Sequence, residues 1–381
     1  MHVVIVGAGL GGLCLAQGLR QAGMDVSVYE RDATPASRPR GYRITLKSDG
    51  ARALRQCMPA ALFELAVATS IRDATTMAFM DEHLVPRFTK PLPPVQPGLD
   101  GFGVNRLTLR EILLAGLQEV VHFGRCFVGY SPVDGGGVEV RFADGSAVRG
   151  DLLVGADGTN SAVRSQVVPD AVIDGLECSA YGRTPIRPDT VDWLPEILTD
   201  SFNRITGPDG AGMAVATCRT RERVSDAAGR LGVALTDVPP YLAWMVTLPD
   251  DRLRDADPAT VHRAAREVVR DWHPAAGRII DEAEIAATFP VVISSARPVS
   301  AWRDHGVTLL GDAIHTMSPG RGEGANVALR DASLLCGLLK SVAAGRLPLT
   351  VAKQQYEAEM LEYGFAAVAA SRNHPFGPPR R

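Results

Sequence analysis

The sequence is short of lysine: Lys47, Lys90, Lys340 and Lys353 are its only lysines, and arginine carries the rest of the cationic charge. Basic and acidic residues nearly balance, 40 against 43, so a formal net charge of -3 leaves no general attraction to nucleic acid or to an anionic membrane surface. Cysteine is sparse and irregularly spaced. Cys14, Cys57, Cys126, Cys178, Cys218 and Cys336 form no CxxC, which fits buried thiols in a reducing compartment rather than a disulfide framework or a zinc site. The histidines include no HExxH and no close pair, which argues against a metal centre. No apolar run approaches about 18 residues without a charge, and the first residues lack a basic segment. Neither a membrane span nor a secretory leader is expected, and the expected location is the cytoplasm.

What the chain has in quantity is apolar residues, 46% of 381, enough for two layers of structure that share an interface. The first layer opens with β-branched residues over 2–6, followed at once by Gly7, Gly9 and Gly12 in GxGxxG spacing. A helical pattern over 13–22 is closed by Gly23, and a second strand over 26–29 ends on Glu30. Strand, glycines, helix, strand and acid in this order form the dinucleotide-binding arrangement. Gly7 permits the tight turn, Gly9 lets the backbone approach a pyrophosphate, Gly12 allows close helix-to-sheet packing, and Glu30 faces ribose hydroxyls. Arg31, Arg38, Arg40 and Arg43 follow that acid, where one or two of them are candidates to pair with phosphates.

A second glycine-rich segment spans 307–331. Val307, Leu309 and Leu310 are strand-forming, and Gly311 turns the backbone so that Asp312 faces outward at the strand end, a ligand-facing position. Pro319, Gly320, Gly322 and Gly324 then lead into a helix over 325–339, whose N-terminus offers free N–H groups and partial positive charge to an anion. Another carboxylate stands at a strand end in Gly155-Ala156-Asp157-Gly158. Two acids so flanked suggest two strands converging on one ligand. Ahead of both acids, a helix over 105–117 carries Leu109, Ile112, Leu113 and Leu117 on one face, with Arg106 as its first charged residue. Strands are expected over 127–130, 138–142 and 152–156, and the proline-rich stretch 84–100 reads as a surface connection.

From about residue 176 the character changes to short alternating strands followed by helices over 258–272 and 276–286. The expected division is therefore 1–175 for the first part of a nucleotide-binding domain, 176–289 for a substrate domain, 290–345 for the returning part of the first domain, and 346–381 for a C-terminal helix and tail. In the substrate domain Tyr181, Met213, Trp244 and Met245 are candidates to line a pocket for a large flat substrate, although core packing uses the same residue types.

Taken together, these motifs make a chain that resembles the single-component FAD-dependent aromatic hydroxylases: the para-hydroxybenzoate and salicylate hydroxylases and their relatives that oxidise polyketides and tetracyclines. The GxGxxG with Glu30, the DG motif at Asp157-Gly158 and the GD motif at Gly311-Asp312 match in order. The resemblance implies an α/β fold, with a Rossmann-like FAD-binding domain interleaved with a substrate domain of mixed β-sheet and helices, plus a long C-terminal helix. It assigns Glu30 to the FAD ribose, Arg106 to the diphosphate region and Asp312 to the ribityl chain. Asp157 falls in a motif shared by flavin and pyridine nucleotide, and Gly324, Ala325 and Asn326 border the flavin pyrimidine edge. Leu10, Gly11, Arg31, Arg43, Val128, Gly158, Gly311, Pro319 and Gly322 complete the implied cofactor-binding positions. The implied chemistry is reduction of FAD by NADPH or NADH as a transient co-substrate, addition of O2 at flavin C4a, and transfer of OH from the flavin hydroperoxide to an aromatic small molecule. No side chain is assigned as catalytic acid or base, and His315 reads as a structural histidine. Arg321 departs from the small or apolar residue that relatives often carry there. An oxidase, a dehydrogenase, an epoxidase or a catalytically silent FAD-binding protein remain alternatives, as do a monomer and a weak dimer.

Overall fold

The computed structural model, which describes residues 1–37, 42–200, 202–249, 251–304 and 306–372, is built on a five-stranded parallel sheet. Its strand order is Val307–Leu309, Leu152–Gly155, His2–Val6, Asp25–Glu30 and Val121–Phe123. The middle strands are apolar and buried on both faces, as a parallel sheet covered by helices requires. Helix Leu10–Gln21 packs against helix Gly324–Ala343. A Cβ on Gly11 would meet Leu310 Cδ2 at 2.5 Å, so glycine there is what lets the helix start press onto the end of the neighbouring strand. Arg38, Arg40 and the tail over 373–381 lie outside the described residues.

The second layer is a seven-stranded mixed sheet ordered Phe289–Ala296, Ile173–Pro185, Tyr241–Thr247, Gly212–Cys218, Phe202–Thr206, Thr76–Asp81 and Pro86–Pro91. Its back face, including Met213, Leu242, Trp244 and Val246, forms one core with Val261, Ala265, Ile279 and Ile280 of helices Pro258–Val268 and Pro274–Asp281. Its front face turns towards the parallel sheet. There Tyr181, Tyr241 and Ala243 pack with Tyr42, one residue before the strand Arg43–Lys47.

Several local expectations change. The stretch 84–100 contains the strand Pro86–Pro91, exposed along its whole length, and prolines are tolerated there because it is a sheet edge, where an N–H on the outer side is not needed for pairing. The seven-stranded sheet thus takes strands from 76–91 and 289–296 as well as from the stretch between 176 and 289. The Asp144-Gly145 turn leads into an unforeseen short strand, Ala147–Gly150, which pairs with Val138–Phe142 in a separate antiparallel sheet rather than returning directly to the parallel one. Helix Ala60–Ala68 carries no periodic signal in the sequence, its apolar content being spread round the helix without a clear stripe. Cys126 is exposed, whereas the other cysteines are buried. Among the described residues no helix is long and apolar enough to cross a membrane.

The final helix, Leu349–Arg372, is held to the parallel sheet by polar as well as apolar contacts. Tyr356 donates its hydroxyl to the Leu309 carbonyl at 2.8 Å. Lys353 and Glu357, with side chains 4% and 3% exposed, pair at 2.8 Å, and Thr308 Oγ1 donates to the same carboxylate at 2.8 Å. Burial pushes the Glu357 carboxyl up, and Lys353 opposes that. Breaking such a pair on one side leaves an uncompensated charge, which costs about 3–5 kcal/mol, whereas replacing both partners by apolar groups is often neutral. Glu357→Leu alone is therefore expected to lower the unfolding free energy by about 3–5 kcal/mol, and Lys353→Met combined with Glu357→Leu to recover most of it. Denaturant unfolding of the single and double variants checks this, and equal losses in both would contradict it.

Candidate active site

At one end of the cleft between the layers lies the glycine loop. Gly7 takes φ 111°, and a Cβ there would collide with the Ala156 carbonyl, so the loop lies directly on the adjacent strand's exit. Gly12 is equally constrained, because its Cβ would strike the Gly7 carbonyl. Gly9 differs: a Cβ on it meets nothing within 4 Å, so the loop presents bare backbone to open space. Leu10 and Gly11 are buried behind it. Helix Leu10–Gln21 has no side-chain cap, which leaves its first N–H groups to a ligand. Glu30 accepts from the N–H of Ala8 and of Asp32, each at 2.9 Å. Arg110, which sequence reasoning passed over in favour of Arg106, clamps this corner. Its Nε donates to the Ala8 carbonyl at 2.8 Å, its Nη1 to the Pro35 carbonyl at 2.7 Å, and its Nη2 to Glu30 Oε2 at 3.3 Å. The helical spacing from Arg106 to Arg110 was the available signal. Arg31 is exposed next to Glu30, and Val128 is 59% exposed on the strand that follows Arg125, whose N–H bonds the Glu30 carbonyl.

At the other end, Leu152–Gly155 and Val307–Leu309 are neighbouring parallel strands, with Gly155 opposite Leu309, so the two strand-end acids emerge side by side. They are not equivalent. Asp157 spends its carboxylate on the chain itself, accepting from Ser161 Oγ at 2.5 Å, Ala162 N at 2.7 Å and Val163 N at 3.3 Å at the start of helix Ala162–Val167. Gly158 follows at φ 79°. Arg164 then ties the two motifs together by donating to the Thr159 and Ala313 carbonyls, both at 2.8 Å.

Asp312 is the open acid. Gly311 turns at φ 64°, Asp312 is exposed, and Ala313, Ile314 and His315 behind it are buried. Protein surrounds the carboxyl closely enough that burial raises it, opposed by the charges of His315 and Arg106. The carboxyl is thus reachable by solvent while protein atoms crowd round it. Arg106 therefore acts on the same acid from the start of helix Arg106–Leu114, where Asn105 accepts from Leu107 N at 2.9 Å as cap. A Cβ on Gly324 would stand 3.7 Å from Asp312 Oδ1, so helix Gly324–Ala343, also without a side-chain cap, opens beside the acid. Pro319 and Gly322, the latter at φ 65°, are exposed in the loop before it, and Ala325 is half-buried. Asn326 is not free to bind through its side chain. Its Oδ1 accepts from Lys47 N at 2.8 Å, and its Nδ2 donates to the Thr45 and Gly322 carbonyls at 3.0 and 2.8 Å, which leaves only its backbone for a ligand. Arg321 is exposed and lines an open groove with Asp49, Glu323 and Tyr363.

The facing wall separates the four pocket candidates. Tyr181 and Met245 pair directly on the front face and are half-buried. Trp244 is 0% and Met213 1% exposed on the back face, where the indole Nε1 donates to Thr184 Oγ1 at 3.1 Å. Successive strand residues point to opposite faces, so Trp244 and Met245 cannot share a pocket, and Trp244 and Met213 are core. Tyr181 accepts from Arg43 N at 3.2 Å and so joins the wall to the first layer. Its ring lies 5.5 Å from Tyr42 and 5.7 Å from Phe289. His315 is wholly buried with Nε2 2.7 Å from Asp331 Oδ2, in keeping with a structural histidine. In sequence Asp331 reads as a helix residue of less consequence for the cofactor than Asp312, because it is one polar residue within an apolar helical pattern.

Residues 128–371 match the FAD binding domain family, and residues 5–59 match a NAD(P)-binding Rossmann-like domain. The dual O-methyltransferase/FAD-dependent monooxygenase CTB3 of Cercospora beticola is 30% identical over 94% of this chain, which spans only 44% of CTB3. The crystal structure of an FAD-containing protein of monooxygenase type from Photorhabdus luminescens subsp. laumondii is 30% identical, with a TM-score of 0.82 over 98% of both chains. Klebsiella pneumoniae HpxO, crystallised with FAD and uric acid, shares the fold at a TM-score of 0.77 and 22% identity, over 98% of this chain and 87% of its own. The cleft fits FAD: bare backbone at Gly9, two helix starts without side-chain caps, and an enclosed yet open carboxylate at Asp312.

The protein is accordingly expected to purify yellow and to release its flavin on acid precipitation. Gly9→Val should give colourless protein that still folds, since the new Cβ meets only space that the cofactor would fill. Its FAD affinity should drop at least about a hundredfold, ~2.7 kcal/mol, with apo-protein melting unchanged. Retained yellow colour in a folded Gly9→Val protein would contradict the cradle.

Proposed function

The chain belongs to the FAD-binding-domain family that matches most of its length, and from that premise we propose that it is a NAD(P)H-dependent monooxygenase that hydroxylates a flat phenolic substrate. The observation that carries the reading is the composition of the front face of the seven-stranded sheet. One row across it runs Phe289, Tyr181, Met245, Ala214, Arg204 and Phe79, each in register with the next. Such a wall is apolar and aromatic apart from one charge, and that charge is compensated: burial pulls the Arg204 guanidinium down, and Glu177, further along the same face, supports it. An aromatic surface with one donor–acceptor pair suits a ring bearing a hydroxyl beside a carbonyl oxygen, the first donating to Glu177 and the second accepting from Arg204.

When bound, FAD supplies the redox centre, taking two electrons from the nicotinamide and delivering one oxygen atom of O2 to the ring. The chain's residues supply the surroundings. The uncapped starts of helices Leu10–Gln21 and Gly324–Ala343 favour the negative charge of a pyrophosphate and of a reduced ring. Asp312 would hold the cofactor by accepting from a hydroxyl of its chain, and Glu30, fixed by Ala8, Asp32 and Arg110, would stand on the side of its ribose. Tyr42, Tyr181 and Phe289 keep water from the substrate side, where water would favour release of hydrogen peroxide. Burial raises the Tyr181 phenol, so it remains a neutral hydroxyl. NADPH is the proposed donor, meeting the cofactor beside Arg43.

Consumption of NADPH is expected to be slow alone and at least about tenfold faster with a matching phenol, equal to about 1.4 kcal/mol off the barrier. Arg204→Gln should raise KM for that phenol about tenfold, ~1.4 kcal/mol, while leaving FAD content unchanged. A panel of mono- and polycyclic phenols checks both, and no stimulation by any of them would contradict the reading.

A further inference from the structure

Behind Asp312 lies a buried polar group that none of the motifs includes. Asp331, 0% exposed on helix Gly324–Ala343, accepts with Oδ2 from Gly311 N at 2.8 Å and lies 2.7 Å from His315 Nε2. Its Oδ1 accepts from the Tyr363 hydroxyl of the final helix at 2.6 Å. Gly311 and His315 are the two ends of a single turn, and Asp312 is the one residue of that turn left exposed. Both ends are thus fixed by one carboxylate, and the direction of Asp312 follows. Gly364 admits the final helix against the imidazole, since a Cβ there would stand 2.7 Å from His315 Cδ2. Among the described residues His315 Nδ1 is buried without a hydrogen-bond partner, so the hydrogen bond that orients the ring is the one to Asp331.

We infer that Asp331 is the positioning residue of the cofactor site: with His315 and Tyr363 it clamps the turn that aims Asp312 into the cleft. The inference rests on the reading of Asp312 as a cofactor ligand. The groups that face His315 are Asp312 on its own turn, Asp331 from helix Gly324–Ala343, and the Gly364 face of the final helix, where Tyr363 reaches Asp331. Tyr356 lies within reach of the Asp331 charge, Arg106 acts on Asp312, Arg164 holds the Ala313 carbonyl, and Arg330 lies 3.7 Å over the Tyr363 ring. Burial lowers the His315 imidazole, but the charge and hydrogen bond of Asp331, with Asp312 added, outweigh it and the net shift is upward. A histidine raised in this way contributes fully below its unfolded value and loses the contribution as pH rises through its folded value. A cofactor covering the exposed side of Asp312 would strip water from that acid and make a protonated His315 beneath it count for more, so binding raises His315 further and FAD affinity falls as pH rises through the His315 value of the apo-protein.

The test titrates apo-protein with FAD from acid to alkaline pH, with apo-protein melting as the second readout. Asp331→Asn is expected to raise the FAD dissociation constant about tenfold at neutral pH, ~1.4 kcal/mol, and to move the pH-dependent loss downward, because His315 loses the carboxylate that raises it. Tyr363→Phe, which removes one hydroxyl and keeps the ring, should fold as the parent does and raise the constant about threefold without moving the pH dependence. A dissociation constant unchanged in Tyr363→Phe, or a rise in Asp331→Asn that is the same at every pH, would overturn the inference. Asp312→Asn, run in parallel, separates the two levels: if it leaves FAD binding unchanged, the ligand reading fails, and if only it weakens binding, the positioning inference fails alone.

Discussion

Three hydrogen-bonding groups, two from the turn 311–315 and one from the final helix, converge on the carboxylate of Asp331, and the geometry of the cleft follows from that convergence. A strand leaving a parallel sheet has to change direction while exposing one acid and burying the residues after it. Gly311 provides the positive φ, but glycine alone permits many directions and selects none. Selection comes from a buried, fully engaged carboxylate, whose charge-assisted hydrogen bonds are stronger than neutral ones. Through Tyr363, and through the Tyr356 and Lys353–Glu357 contacts with the same strand, the final helix becomes part of the site although it carries no cofactor motif of its own.

The cleft that results has two unlike walls. One offers backbone N–H groups from two helix starts and a carboxylate, which suits a long anionic cofactor with hydroxyls along it. The other offers rings and a single compensated charge, which suits a flat substrate. Asp312 and Tyr181 share an unusual situation, enclosed by protein while part of their surface stays open. In such places the effective dielectric constant is low, so Arg106, His315 and Arg43 act more strongly than they would on the outer surface. The Arg43 to Tyr181 hydrogen bond joins the walls where the cofactor and substrate sides meet.

How far the sequence discloses this depends on the range of the interaction. The glycine loop, the Gly311 turn and the helix starts are local, and their spacing makes them legible. The adjacency of the strands carrying Asp157 and Asp312 was legible as two flanked acids, but the difference between them was not: Asp157 is absorbed by Ser161 and the helix after it, and only the three-dimensional turn reveals that. Residue type leaves Met213 and Trp244 open between core and pocket, and strand alternation decides for the core by putting them under the helices. Register would have warned against naming both Trp244 and Met245. The edge strand Pro86–Pro91 was hidden by its prolines. Arg110 and Asp331 act on partners far away in sequence, which no periodicity can disclose.

The central claim is that this cleft brings FAD and an aromatic ring together so that oxygen is transferred rather than merely reduced. Turnover of a stimulating phenol under isotopically labelled O2, with the product analysed by mass spectrometry, tests it most directly. The account predicts one labelled oxygen atom in the product for each NADPH consumed, with little hydrogen peroxide. Unlabelled product, or hydrogen peroxide formed in step with NADPH consumption, would contradict it.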